Sequence, residues 1–184
     1  MVRFLLIAVF ILSFAIPGFA ANNKKTADGL YREYYDTGVV SREENYKNYV
    51  LDGTAKTFFE DGGLASTAVY VDGKRQGAGK TFYENGKVET NVNFTDNEID
   101  GSFSKFYDTG ELERESNFKA GRLEGPSKLY YKSGVLQKQM NYSNGMINGG
   151  ASEFSEEGQL TAQEEYKEGN LVGRKEYDQT LSTT

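Results

Sequence analysis

The sequence has no cysteine, no histidine and no tryptophan, and only 2 prolines among 184 residues. Without cysteine there is neither a disulfide framework nor a thiolate metal site. Without histidine the chain lacks the side chain most often used as a general base near neutral pH, which is also the commonest metal ligand. We therefore predict no catalytic residue, no cofactor and no bound metal, and we expect a protein that is not an enzyme.

Basic residues are in the minority. Lys and Arg number 21 against 27 Asp and Glu, which gives a net charge of −6. No segment concentrates the basic residues, so nucleic acid is a poor candidate partner and strong membrane binding is not expected. The abundant residues are glycine, with 21 copies, and the aromatics, with 12 Phe and 13 Tyr. This composition indicates many turns joined by β-strands.

The first 20 residues have a different character. A single arginine precedes an apolar run from Phe4 to Ile16, and small residues follow up to Ala20. A membrane-spanning helix needs about 20 apolar residues, more than this run offers. The pattern is typical of a cleaved secretory signal peptide. We predict that residues 1–20 direct export through the Sec route, to the periplasm or outside the cell, and that residues 21–28 are a flexible linker.

A period of 24 residues organises the remaining chain. Seven glycines fall in one frame without insertion: Gly29, Gly53, Gly77, Gly101, Gly125, Gly149 and Gly173. A second glycine follows nine residues after each of the first six, at Gly38, Gly62, Gly86, Gly110, Gly134 and Gly158. Such self-similarity predicts one structural unit repeated along the chain. Six repeats and a partial C-terminal repeat would occupy residues 29–177, and residues 178–184 would be a disordered tail.

Three aromatic columns keep the same phase. The first column is Tyr34, Phe58, Phe82, Phe106, Tyr130 and Phe154. The second, the ladder column, is Tyr35, Phe59, Tyr83, Tyr107 and Tyr131. The third column is Tyr46, Tyr70, Phe94, Phe118, Tyr142 and Tyr166. We expect the repeats to stack with these side chains in register.

Each repeat reads as a β-hairpin. In the third repeat, Lys80–Tyr83 is a run of strand formers, Gly86 allows the positive φ of a tight turn, and Val88–Phe94 is the return strand. Turn signals arrive every 11 to 13 residues, too close together for a helical crossover between parallel strands. We predict an all-β protein, an elongated antiparallel β-meander of tandem hairpin repeats, about 60 Å long.

The repeat resembles the MORN repeat (membrane occupation and recognition nexus). Residues 70–86 alternate an aromatic residue, a glycine-containing turn, a second glycine and another aromatic residue at the spacing of that family. The form Tyr-Tyr-x-x-Gly-x-Leu at 130–136, with Phe-Tyr at 106–112, is similar to the bacterial MORN variant of the YwqK-like antitoxin family. The resemblance implies a β-hairpin array used for protein or membrane association, without catalysis of its own.

The two adjacent aromatic columns must lie on different faces of the sheet, because neighbouring residues of a strand point in opposite directions. Tyrosine suits a half-exposed surface, since its hydroxyl needs a partner when buried. We expect the first column to form the core and the ladder column to form a partly exposed surface that binds a partner. The alternative is that both columns only stack between repeats.

An acidic column precedes the second glycine of each repeat by two residues, at Asp36, Glu60, Glu84, Asp108 and Glu156, with Lys132 in the fifth repeat. Carboxylates on successive hairpins are about 10 Å apart, which is too far for them to share one calcium ion. We therefore interpret this column as solvated turn residues.

Composition and repeats together predict an exported scaffold that binds a protein partner. The alternative is a carbohydrate-binding module for cell-wall glycan, because aromatic hairpin repeats can recognise sugar rings. A hydrolase is disfavoured by the missing histidine. The terminal strands leave open sheet edges, so dimerisation is compatible with the fold and the oligomeric state stays open.

Overall fold

A computed structural model describes residues 28–177, which form a single antiparallel sheet of 15 strands without any helix. The strands are β1 (Gly29–Tyr34), β2 (Val40–Lys47), β3 (Val50–Phe58), β4 (Leu64–Val71), β5 (Lys74–Phe82), β6 (Val88–Thr95), β7 (Glu98–Phe106), β8 (Leu112–Lys119), β9 (Arg122–Leu123), β10 (Gly125–Tyr130), β11 (Leu136–Ser143), β12 (Met146–Ile147), β13 (Gly149–Phe154), β14 (Leu160–Lys167) and β15 (Asn170–Glu176). The predicted signal peptide, most of the linker and the predicted tail lie outside the described residues. Between Asp28 and Tyr177 no helix is long and apolar enough to cross a membrane.

The strands follow one another across the sheet in chain order. Thirteen of them form one continuous path, while β9 and β12 are two-residue strands that pair only with β8 and β11. Every neighbouring pair on the path is antiparallel, and the pairing pattern recurs from repeat to repeat. The predicted all-β meander of 24-residue hairpins is thereby confirmed.

Two kinds of turn alternate along the chain. The turn inside each repeat, here called the ladder turn, is a three-residue loop between two strands. In the first repeat the Tyr35 amide donates to the Val39 carbonyl at 2.8 Å, and the Gly38 amide donates to the Tyr35 carbonyl at 2.9 Å. Gly38 has φ +83°, the left-handed region that such a loop requires. The turn between repeats, here the inter-repeat turn, has two residues with positive φ, as at Asn144 (50°) and Gly145 (84°). These are hairpin turns of type I′.

A β-bulge recurs beside each ladder turn. In the third repeat Thr81 pairs with Thr90 but Phe82 pairs with Val88, which leaves Glu89 as an additional residue. The bulge brings the Glu89 side chain to the same face as Thr81, whose hydroxyl donates to Glu89 Oε2 at 3.0 Å. Residues at the bulge therefore share a face with their neighbours on the opposite strand.

The most buried side chains all lie on one face, here the ladder face. Its apolar core members are Ala55, Ala68, Tyr70, Val92, Phe94, Phe103, Leu123, Met140, Tyr142, Ile147, Ala151 and Ala162. All of them except Ala162 fall into three clusters, and each cluster contains one third-column ring. Within residues 28–177 no second layer covers this face, so the core is made of side chains lying against one another along one sheet.

The two adjacent aromatic columns do face opposite sides, but the prediction of which one is core was wrong. Alternation along each strand places the ladder column on the same face as the buried residues, two positions beyond the buried Thr57 in the second repeat. The first column lies on the opposite face. Tyr34 is 59% exposed and the other five members are only half-buried. The ladder column lies on the buried face because its tyrosine hydroxyls have polar partners there, the main-chain carbonyls of the next repeat.

Candidate functional site

The ladder column forms one row along the ladder turns, with all five rings half-buried. Four hydroxyls donate to the main-chain carbonyl of the first-column residue in the next repeat: Tyr35 to Phe58 (2.6 Å), Tyr83 to Phe106 (2.6 Å), Tyr107 to Tyr130 (2.7 Å) and Tyr131 to Phe154 (2.9 Å). The structure thus brings the predicted site residues together and gives four of them a contact between repeats. Each such bond contributes about 1 kcal/mol.

The surroundings of two ladder tyrosines, Tyr83 and Tyr107, disfavour the ionised form. Burial, and then the negative charges of Glu89 and Glu113, raise the pKa of Tyr83. Burial and Glu113 likewise raise the pKa of Tyr107. These two hydroxyls therefore stay protonated and remain donors across the physiological pH range.

Phe59 is the exception in the row. It has no hydroxyl, so the junction between the second and third repeats lacks the tyrosyl bond that the other four junctions have. The main-chain carbonyl that would receive it belongs to Phe82. A groove of about 460 Å³ opens at this same place, and both residues line it.

The floor of this groove is low because its residues are small. In the second repeat the hydroxyls of Thr57 and Ser66 lie 2.6 Å apart, and in the third those of Thr81 and Thr90 lie 2.7 Å apart. These pairs face each other across neighbouring strands. We refer to this space, lined by Tyr35, Phe59, Thr81 and Glu89 among others, as the ladder-face groove.

Long charged side chains occupy the equivalent positions in the repeats on either side of the floor. The first repeat has Glu33 and Arg42 there, and the fourth has Lys105 and Arg114. Arg42 is hydrogen-bonded to Glu33, and its Nη1 lies 3.4 Å from Glu44 Oε1. Of these four residues, Glu33 and Arg42 line the groove.

The ladder turns are strongly acidic. Across the six of them stand eight carboxylates and two lysines: Asp36, Glu60, Asp61, Glu84, Asp108, Glu111, Glu156 and Glu157, with Lys87 and Lys132. The six inter-repeat turns hold four carboxylates and five basic residues: Asp72, Asp96, Glu98 and Glu168, with Lys47, Lys74, Lys119, Arg122 and Lys167. The ladder turns therefore carry a net charge of −6 and the inter-repeat turns +1.

The lysine that interrupts the acidic column has a structural use. Lys132 Nζ lies 2.8 Å from Asp108 Oδ1, one repeat away. The hydrogen bond and charge of Lys132 lower the pKa of Asp108, and the same bond raises the pKa of Lys132. Between residues 28 and 177 no group of three or more carboxylates is arranged to hold a metal ion.

The opposite face carries cross-strand ion pairs. Arg32 Nε lies 2.8 Å from Glu43 Oε1, and Lys128 Nζ lies 2.8 Å from Glu115 Oε1. The Tyr130 hydroxyl also donates to Glu115 at 2.9 Å. The hydrogen bonds from Lys128 and Tyr130 lower the pKa of Glu115. This polar, half-covered surface is where sequence reasoning placed the core.

Sequence reasoning missed the groove and the charged residues on either side of its floor. The signal was present in the repeats themselves. The floor position reads Glu33, Thr57, Thr81, Lys105, Leu129 and Glu153 through the six repeats. A change from long to short side chains over two adjacent repeats predicts a depression in a face that is otherwise covered evenly.

An open sheet of stacked hairpins with the same register, and with no second layer over residues 28–177, defines a repeat scaffold. The model of the MORN repeat variant matches residues 27–48, 51–72, 75–96, 99–120 and 123–144, more than half of the chain. The chain therefore belongs to the MORN repeat variant family. No curated protein matches its sequence. The sixth repeat lies beyond the matched segments, yet β13 and β14 pair with the same register shift, between Glu153 and Phe154.

Proposed function

We propose that this protein is an exported, non-enzymatic scaffold that binds a protein partner through the ladder turns and the adjoining ladder column. MORN repeats suggest a scaffold for protein or membrane interaction. The observation that carries the proposal is the ladder column itself: five half-buried rings in one row, four of them held by hydrogen bonds to the next repeat. Rings fixed in this way lose little conformational entropy when a partner covers them.

The charge of the ladder turns supports one kind of partner chemistry. Eight carboxylates against two lysines favour a partner with a basic surface. Such complementarity acts mainly on the rate of association and on specificity, and salt weakens it. The partner's basic groups would be spaced to match hairpins that repeat about every 10 Å.

Affinity capture from the native envelope, followed by mass spectrometry, tests this proposal. One protein recovered in stoichiometric amount is expected. The triple variant Asp36→Asn, Glu60→Gln and Glu84→Gln should lose most of it, because these exposed turn carboxylates face the partner. The matched control neutralises three exposed carboxylates of the inter-repeat turns, with Asp72→Asn, Asp96→Asn and Glu168→Gln. Equal recovery with both triple variants would contradict the proposal.

The remaining parts of the proposal have their own tests. Deleting residues 1–20 should retain the protein in the cytoplasm, as read by cell fractionation. The purified chain should release no product from glycan or peptide substrates in an activity screen. If the captured partner arrests growth when it is produced without this chain, then this chain has the antitoxin role of the YwqK-like family that it resembles. A partner that is harmless alone would exclude that role.

A further inference from the structure

The five junctions between the six repeats can be compared directly, and one of them differs from the rest. Four junctions close with a tyrosyl hydroxyl on a main-chain carbonyl, and the junction from the second to the third repeat has Phe59 in that place. The Phe82 carbonyl oxygen therefore has no tyrosyl donor. Because the ladder-face groove opens here, a bound molecule could supply the missing donor from within the groove.

The floor of the groove offers hydroxyl groups at short range. The Thr57–Ser66 and Thr81–Thr90 hydroxyl pairs lie side by side on adjacent hairpins. A hydroxyl oxygen has two acceptor lone pairs, so the half-buried Thr81 hydroxyl keeps one for a ligand. An apolar ligand would supply no donor to the Phe82 carbonyl oxygen, at a cost in affinity.

The wall of the groove combines aromatic rings with a carboxylate. Tyr35 and Phe59 present half-buried rings, and Glu89 stands at the bulge, where it accepts a hydrogen bond from Thr81 at 3.0 Å. A carboxylate has about four lone-pair sites, so Glu89 can accept further hydrogen bonds from a ligand. With Glu33 at one end, the lining contains two carboxylates and one basic residue, Arg42, which disfavours anions.

We propose that the ladder-face groove binds a neutral saccharide of one or two rings. The C–H face of one sugar ring packs on Phe59, and its hydroxyls donate to the Phe82 carbonyl and to Glu89. The Thr81 hydroxyl, which donates to Glu89, accepts a hydrogen bond from a neighbouring sugar hydroxyl. A volume of about 460 Å³ lies within the range of small-ligand sites. This site shares Tyr35 and Phe59 with the proposed docking surface, but saccharide binding does not depend on a protein partner.

Titration of the purified chain with N-acetylglucosamine and its trimer, followed by amide chemical shifts in NMR, tests the proposal. We expect saturable shifts at Phe59, Thr81 and Glu89, with a dissociation constant in the millimolar range. A glycan ligand of this kind is probed directly, so the outcome does not rest on whether a protein partner exists. Absence of saturable shifts with both saccharides would overturn the proposal.

The decisive variant is Phe59→Tyr. The new hydroxyl should bond to the Phe82 carbonyl, as its equivalents do, and so remove the acceptor from the ligand. Saccharide affinity should fall at least tenfold while the melting temperature rises. Its matched control is Tyr107→Phe, outside the lining of the ladder-face groove, where the melting temperature should fall and affinity should not change. Unchanged affinity in Phe59→Tyr contradicts the proposal.

A second pair of variants keeps the test independent of the junction. Glu89→Gln should weaken saccharide binding several-fold, since it removes an anionic acceptor and keeps the shape. Glu113→Gln changes the same bulge position one repeat later, where the carboxylate pairs with Lys105, and should leave affinity unchanged. If a short lysine peptide shifts the groove amides and the saccharides do not, the groove belongs to the protein partner instead.

Discussion

The first and the sixth repeats differ from the four between them in what they bury on the ladder face. At one central position the terminal repeats have Glu44 and Glu164, which are 4% and 6% exposed. The same position in the four middle repeats holds Ala68, Val92, Ser116 and Met140. Each terminal glutamate accepts a hydrogen bond from the hydroxyl of the third-column tyrosine in its own repeat: Glu44 from Tyr46 at 2.8 Å and Glu164 from Tyr166 at 3.0 Å. At this position the array is therefore apolar or small-residue in the middle and ionic at both ends.

The contrast follows from the number of neighbours. A middle repeat is covered by hairpins on both sides, whereas a terminal repeat has only one within residues 28–177. Buried charges near an open edge discourage another strand from pairing with it, which is a common protection of natural sheets. Each buried glutamate has nearby basic partners. Arg42 forms an ion pair with Glu44. Lys138 Nζ lies 3.1 Å from Glu164, and Arg174 also forms an ion pair with Glu164.

The local pairing also fixes the protonation states. Burial raises the pKa of Tyr46 to about 12, and its bond to Glu44 adds to that shift. Burial by itself would raise the pKa of Glu164, but the hydrogen bond and charge of Lys138, with Tyr166 and Arg174, lower it overall. The C-terminal ionic cluster is therefore intact at neutral pH.

The middle of the array should be the most sensitive to loss of volume. Phe103 is 2% exposed and its ring contacts that of Phe118 edge-on at 5.8 Å. Replacing it in Phe103→Ala should cost about 3–4 kcal/mol of unfolding free energy, measured by urea titration. The control Tyr34→Ala, at an exposed first-column position, should change it by less than about 0.5 kcal/mol. Equal losses would remove the distinction between a packed middle and a half-covered opposite face.

The C-terminal ionic cluster consists of Glu164 with Lys138 and Arg174. Its loss should destabilise only the C-terminal strands. Glu164→Gln should cost about 2 kcal/mol, because Lys138 and Arg174 lose a charged acceptor. Native-state hydrogen exchange should place the loss in β13–β15. The control Glu176→Gln, on an exposed pair with Arg174, should have almost no effect. A loss of protection spread over all repeats would contradict the local nature of the ends.

The pH dependence of the same cluster has a definite sign. The folded pKa of Glu164 is depressed, so its stabilisation is complete above the unfolded value of about 4.3 and is lost as pH falls through the folded value. Exchange protection of β13–β15 should therefore decrease on acidification below about pH 4. Glu164→Gln should lose this component of the pH dependence. An identical acid profile in the variant would show that other carboxylates control it.

The junctions between repeats should respond to single hydroxyls. Tyr107→Phe should lose about 1 kcal/mol, and Phe59→Tyr should gain a similar amount. Both are read as shifts of the urea midpoint at constant slope. If both substitutions move the midpoint in the same direction, the hydroxyl bonds are not what distinguishes the junctions.

The smallest effect is expected at the first inter-repeat turn. Tyr49 has φ +63° at a position where four of the six turns have glycine. Tyr49→Gly should stabilise by about 0.5 kcal/mol, since it relieves left-handed strain. Asn97→Gly is the matched control and should give no gain, because Asn97 tolerates this conformation and its Oδ1 accepts from the Arg75 amide at 2.8 Å. Calorimetry resolves the difference.

The repeat and its turns could be predicted from the sequence because glycine marks the positive φ positions directly. Gly38 and Gly145 are where the ladder turn and the inter-repeat turn need them. Opposite faces for Tyr34 and Tyr35 also followed from strand alternation. The buried face did not follow, because the carbonyl that accepts the Tyr35 hydroxyl belongs to the next repeat and exists as a partner only once the hairpins are stacked.

Small core residues explain the rest of the difference. Ala55 and Ala68 are fully buried but give a weak hydrophobic signal in the sequence. Gly79 occupies the same column as Ala55, and a Cβ there would lie 2.8 Å from Phe94 Cε2. The space that a large ring fills is thus set by the absence of a side chain on its neighbour, which periodicity alone does not reveal.

Equal register at every junction has a consequence for the size of the molecule. Because β3 meets β4 and β5 meets β6 in the same alignment, removal of one internal repeat, such as residues 77–100, would rejoin equivalent strands. The sheet would shorten by about 10 Å and keep both terminal repeats with their buried glutamates. The length of the sheet is therefore set by the number of repeats, and it can change while the two ends stay the same.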